Sequence, residues 1–107
     1  MSVLPPAIAD FFATENGKDP AALTACFSPD AVVHDESNEY RGTDAIAAWR
    51  LDTQAKTPFT SRPLNLRDDD DTFLVSAEVS GSFPNSPIIL EHRFRLVDGC
   101  IAALDIG

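Results

Sequence analysis

The chain has 107 residues, 44% of them hydrophobic, which suits one domain with one core that closes without metal or disulfide staples. A net charge of −9 and eight scattered Lys and Arg argue against a phosphate-binding surface, and so against nucleic acid or anionic membranes as partners. No apolar run approaches the roughly 20 residues of a membrane span, and "MSVLPPAIADFF" lacks the basic start and small-residue cleavage site of a signal peptide, so a cytoplasmic protein is expected.

Leu4, Ile8, Phe11 and Phe12 fall at the i, i+4, i+7, i+8 positions of one helix face, and "ENGKD" ends that helix. Asp19 followed by Pro20 reads as an N-cap with proline at the first helical position. Leu23, Cys26 and Phe27 supply the apolar side of this second helix, and "SPD" stops it. Residues 31 to 36 read as a short strand that "ESNE" turns back. Thr43 is placed to cap a third helix, "DAIAAWRLDTQAK", in which Ile46, Trp49 and Arg50 share a face and beyond which lies Pro58.

The second half is all strand. "FTSRPLNLR" is interrupted by Pro63, which assigns it to a sheet edge. The "DDDD" run at 68 to 71 reads as a solvated hairpin turn, since the glycine and final glutamate of a calcium loop are missing. In "TFLVSAEVSGSF", Phe73, Val75, Ala77, Val79, Gly81 and Phe83 alternate onto one face. "PNSP" turns the chain into "IILEHRFRLV", Asp98-Gly99 forms a tight hairpin, and "CIAALDI" closes the sheet. Long antiparallel strands with helices kept to one side give an α+β fold. Cys26 and Cys100 lie in apolar surroundings, have no CxxC spacing, and read as buried reduced thiols.

Strand parity carries the chemistry. Ala31, Val33 and Asp35 share one face of the first strand; Ile88, Leu90, His92, Phe94 and Leu96 share one face of a later one. Two titratable groups thus point toward one interior. Burial raises a carboxyl pKa and lowers an imidazole pKa, while mutual attraction opposes both shifts, and the balance is open. Plainer readings stand beside this. His92 can be a core residue with one satisfied hydrogen bond, and Asp35 can cap the following turn. Phe11 and Trp49 can be core, and Tyr40 a surface aromatic. His34 and Glu36 face outward, and a metal site of His34, Asp35 and Glu36 is disfavoured because neighbouring strand side chains diverge. On the opposite sheet face, Glu78, Glu91, Arg93 and Arg95 lie among Leu74, Ile89 and Val97. That pattern fits cross-strand ion pairs or a dimer interface.

The order helix, helix, short hairpin, helix and long antiparallel strands, together with "CFSPDAVVHDESNEYRGTDAIAAW" at 26 to 49, resembles the nuclear transport factor 2-like superfamily. The resemblance is to its SnoaL-like and ketosteroid-isomerase-like branch and covers essentially the whole chain as a single SnoaL-like domain. It implies a cone-shaped roll: a strongly curved, mainly antiparallel sheet with three helices closing an apolar pocket, a cystatin-like arrangement. Ketosteroid isomerase uses a pocket Asp as base and an oxyanion hole of Tyr and a neutral Asp. Asp35 matches the base, Phe11 falls where the Tyr stands, and His92 falls at the neutral Asp. The base is kept, one donor is lost and the other is changed. Asp with His in the pocket looks more like the acid/base pairs of SnoaL-type polyketide cyclases, and the Asp-Arg-Asp set of limonene epoxide hydrolases has no placeable counterpart.

The expected function is therefore binding of a small apolar molecule, with acid/base proton transfer next to a carbonyl of isomerase or cyclase type. Asp35 would be the base, His92 the acid or oxyanion donor and Tyr40 an assistant. Phe11, Val33, Trp49, Val79 and Phe94 would line the cavity, with no organic cofactor and no metal. The alternative is a non-catalytic ligand-binding or interaction module, and in either case a homodimer formed through the outer sheet face.

Overall fold

The computed structural model describes residues 4–14 and 19–107, so the expected helix-ending segment "ENGKD" lies largely outside the described residues. Three helices and six strands are found there: α1 (Pro6–Thr14), α2 (Pro20–Thr24), β1 (Phe27–Asp35), β2 (Asn38–Arg41), α3 (Thr43–Lys56), β3 (Phe59–Asp69), β4 (Thr72–Gly81), β5 (Ile88–Val97) and β6 (Cys100–Ile106). The strands form one curved, unclosed sheet in the order β2-β1-β6-β5-β4-β3. Every neighbouring pair is antiparallel except β1 and β6, which run parallel, so the sheet is mixed. This is the α+β cone expected from the sequence. No helix of the described residues is long and apolar enough to cross a membrane.

Local chemistry accounts for most boundaries. The Asp19 carboxylate accepts the Ala21 N–H at 3.0 Å, and Pro20 opens α2. Asp98 and Gly99 both have positive φ, 52° and 79°, as a two-residue turn between right-twisted strands requires. Asp70 and Asp71 connect β3 to β4 in a turn in which Asp70 alone has positive φ, 58°, and the aspartates from 68 to 71 are all exposed. β3 is an edge strand, and its pairing with β4 shifts register between Pro63 and Asn65, where the missing N–H interrupts the ladder.

Three boundaries differ from expectation. The second helix ends at Thr24; Phe27 already belongs to β1, and Ser28-Pro29-Asp30 lies within the strand rather than stopping a helix. The strand accommodates proline because its register with β6 slips between Phe27 and Val32, leaving a bulge where no ladder N–H is demanded. Thr43 is the first residue of α3, not its cap: Gly42, at φ 88°, stands at the N-cap with no side-chain bond, its N–H donating to the Ala31 carbonyl at 2.8 Å. Cys26 is buried, whereas Cys100 is only half-buried, because it sits at the mouth of the β5–β6 turn; both are free thiols. Burial raises the Cys26 pKa.

The concave face of the sheet carries the core. Phe11 and Phe12 of α1 meet Phe94 at ring-centroid distances of 5.4 and 5.9 Å, and Ile8, Val33, Val75, Ile101 and Leu104 complete the packing. Helix α1 therefore fills one end of the cone with aromatic rings. Helix α3 packs beside β1 and β2 through Ile46, Trp49 and Arg50, all three buried as the helical spacing predicts. The other end of the cone, between α3 and the far ends of β3, β4 and β5, is not filled.

Candidate functional site

That unfilled end is a cavity of ≈ 530 Å³, within the range of small-molecule sites. Its walls include Asp35, Asn38, Tyr40, Arg50, Phe59, Ser61, Val79, Phe83, Ile88, Leu90, His92 and Ile106. Asp35 and His92 stand in one row across the sheet: Asn38 pairs with Asp35, Asp35 with Ile106, Ile106 with His92, and His92 with Val75. Partners in register point the same way. With strands about 4.8 Å apart, two steps set the backbones of Asp35 and His92 about 10 Å from each other. The two side chains thus face one hollow without bonding directly.

Asp35 is half-buried at the end of β1. Its Oδ2 accepts the Trp49 indole N–H at 3.0 Å, which fixes the carboxylate against α3 at the cavity border and leaves Oδ1 without a hydrogen bond from the described residues. Tyr40, opposite Val33 on β2, lies with its ring 5.8 Å from that of Trp49. Glu36 follows with φ 52°, in the turn.

Arg50 is 6% exposed, and its guanidinium lies 3.9 Å from the Trp49 ring centroid and 4.8 Å from that of Phe59. Stacking on two rings offsets part of the cost of burying the charge. Phe59 is held in place by Gln54, which accepts its N–H at 3.1 Å and donates to its carbonyl at 3.2 Å. Gly81 is required opposite Phe59, since a Cβ there would lie 2.4 Å from the Pro58 carbonyl. The sequence pattern placed Arg50 on the buried face of α3 but gave it no role. A charged residue on an otherwise apolar helical face was the available signal.

His92 is 2% exposed, stacked at 15° on Phe94 and 5.3 Å from Phe12 by ring centroids. Its Nδ1 lies 3.2 Å from the Leu90 carbonyl. A carbonyl only accepts, so Nδ1 carries the proton and Nε2 presents a lone pair. Burial lowers the His92 pKa to about 4; the Leu90 carbonyl opposes that shift and the Arg50 cation adds to it. The ring is neutral near pH 7. Above pH 6.5 folded and unfolded chains both hold it neutral. Between 6.5 and about 4 only the unfolded chain takes up the proton, so stability falls as the pH falls, and below about 4 the loss is complete. The full linkage is on the order of 3 kcal/mol. His92→Phe keeps the stacking and removes the titration. Relative to the parent it gains about 2 kcal/mol between pH 7 and pH 4.5 in urea unfolding; an unchanged difference would mean that the imidazole ionises alike in both states.

Of the residues expected to line the cavity, Val79 does so. Phe11, Val33 and Phe94 are fully buried in the packed end of the cone, and Trp49 lies behind the wall, reaching the site only through its hydrogen bond to Asp35. Asp35, His92 and Tyr40 all border the hollow. His34 faces out, its Nε2 3.1 Å from Glu39 and its Nδ1 2.8 Å from Asp105, away from Asp35. The hydrogen bonds from His34 and Arg41 lower the Glu39 pKa.

A SnoaL-like domain family model matches residues 8–103. The chain is 38% identical to a candidate polyketide cyclase from Sinorhizobium meliloti, with a TM-score of 0.93 over 97% of this chain and 95% of that one. A protein of ketosteroid isomerase-like fold from Catenulispora acidiphila, solved with trimethylamine, superposes with a TM-score of 0.86 at 18% identity, over 98% and 86% of the two chains. A candidate ketosteroid isomerase from Kribbella flavida gives 0.80 at 14% identity, over 95% and 74%. No curated protein matches the sequence. With nearly its whole length covered by one family model and folded as the family's cone, this chain belongs to the SnoaL-like domain family.

Proposed function

We propose that the cone binds a small, largely apolar carbonyl compound and moves a proton at the carbon next to the carbonyl, as an isomerase or cyclase would. The observation that carries this reading is a carboxylate on the border of a ≈ 530 Å³ hollow, held by the Trp49 N–H through one oxygen and with the other unbonded among the described residues. A base so placed can take a C–H proton, and the enolate that forms needs a positive or hydrogen-bonding group near its oxygen. Arg50 and Tyr40 border the same hollow and can supply it. In this reading Arg50 and Tyr40 take the oxyanion role that the sequence pattern gave to His92, whose single N–H is committed to Leu90. Likeness to a candidate polyketide cyclase supports an enolisable substrate. The test is solvent-deuterium exchange at the acidic C–H of a panel of cyclic ketones and 1,3-dicarbonyl compounds. Exchange above the buffer rate by at least one member is expected; none across the panel, with no thermal shift on ligand addition, sinks the reading.

A second proposal concerns the outer face. Ile89 is 63% exposed and Val97 45% exposed there, among Arg62–Glu78 and Arg67–Glu91 pairs at 3.1 and 3.6 Å. Apolar side chains ringed by both charges form a self-complementary patch suited to a second copy of this chain. Sedimentation should give a dimer that Ile89→Asp converts to monomer; a monomeric parent at micromolar concentration removes the proposal.

A further inference from the structure

Resting on the cavity as ligand site but not on proton transfer, we infer that His92 is a hydrogen-bond acceptor that selects ligands carrying a hydroxyl at the deep end of the cone. Nδ1 lies against the Leu90 carbonyl at 3.2 Å, and that contact fixes the tautomer. Nε2 is thereby left with a lone pair and no partner among the described residues, on a residue that borders the cavity. The ring cannot turn to offer a donor instead. It is stacked on Phe94 and wedged against Phe11 and Phe12, at centroid distances of 6.1, 6.3 and 5.3 Å. Reversing it would also leave the Leu90 carbonyl facing a lone pair. Protonation, which would turn Nε2 into a donor, is opposed by burial and by the Arg50 charge.

Val79, Ile88, Leu90 and Ile106 lie along the same wall, and the Arg50 charge on the cavity border is near enough to act on the ring. A ligand oxygen without a proton, such as an ether or ketone, would meet the imidazole lone pair and leave both groups unsatisfied. A hydroxyl would satisfy both. Ser61 also borders the cavity, but its Oγ is buried away from the open space and lacks a partner among the described residues, so it adds no second ligand contact. The row spacing then separates the two ends of the ligand. The end opposite the hydroxyl lies by Asp35, about two strand spacings from His92, roughly 10 Å between backbones. The chemical class is a hydroxylated, mainly apolar compound, as distinct from a hydrocarbon or an alkylated ether.

Two measurements test this, neither requiring turnover. In nitrogen NMR spectra of the parent protein at pH 7, His92 is expected to show a protonated Nδ1 and an unprotonated Nε2. Protonation at Nε2, or at both nitrogens, overturns the assignment. As ligand probes, 2-naphthol and 2-methoxynaphthalene are titrated by fluorescence. The parent should prefer the naphthol at least about tenfold, and His92→Phe should bring the two affinities within about twofold. Equal affinities in the parent, a preference that survives in His92→Phe, or binding of neither probe each overturns the proposal. Loss of deuterium exchange with the naphthol preference intact would instead remove only the proton-transfer reading.

Discussion

Asp35→Asn is expected to reduce deuterium exchange into any accepted ketone by about 10²–10⁴-fold, or about 3–5 kcal/mol of barrier, while the fold persists. Asparagine has the shape of aspartate, and its carbonyl oxygen can still accept the Trp49 N–H that now ends on Oδ2. What it lacks is a basic oxygen. The position is only half-buried, so the neutral amide imposes no large desolvation change. Rate and stability therefore separate. Exchange rates measured beside urea unfolding curves should show the first collapsing and the second almost unmoved. Retained exchange in a folded Asp35→Asn protein would assign the base elsewhere. Asp35→Glu tests geometry in the same way: the carboxylate survives, but its extra methylene moves it off the indole N–H, and a loss of more than tenfold is expected.

The second large effect concerns the packed end of the cone. Phe94→Ala should destabilise the protein by about 3–5 kcal/mol, a large part of the about 5–15 kcal/mol available to a domain. Phe94 is fully buried, with Phe11 at 5.4 Å, Phe12 at 5.9 Å and His92 stacked on it at 6.1 Å, so truncation opens a void that three rigid rings cannot collapse into. Should Phe94→Ala fail to fold, Phe94→Leu keeps most of the volume and should cost about 1–2 kcal/mol. Val79→Ala is the contrast. Its side chain already faces empty space, so only the transfer term of two methyl groups is lost, about 1–1.5 kcal/mol. Denaturant titrations of the variants check the order. Equal costs at Phe94 and Val79 would mean that the hollow and the core had been exchanged.

That contrast marks the boundary of what the chain's pattern could reveal. The period of two placed Val33, Asp35, Val79, His92 and Phe94 on the concave face, and the register bears this out: Val33 opposes Leu104, and Leu104 opposes Phe94. Parity says which wall a side chain is on, but not how far along the cone it lies. On β5 the same face runs from Ile88, Leu90 and His92 at the hollow to Phe94 in the core, and the change comes between adjacent inward positions. What fills one end and not the other is α1, whose Phe11 and Phe12 arrive from far away in sequence. Trp49 illustrates the same limit. Helical spacing gave its burial, while its hydrogen bond to Asp35 depends on α3 crossing the end of β1.

By itself, then, the sequence determined the α+β class, the turns within residues 68 to 71 and at Asp98-Gly99, and the inward direction of Asp35 and His92. Those features rest on local periodicity, capping and turn chemistry, which act over a few residues. Only the tertiary structure decided that the hollow lies beyond His92, that Arg50 borders it between two aromatic rings, and that the His92 proton faces Leu90. These depend on where separate elements meet, and contacts between distant segments leave no period in the chain to read.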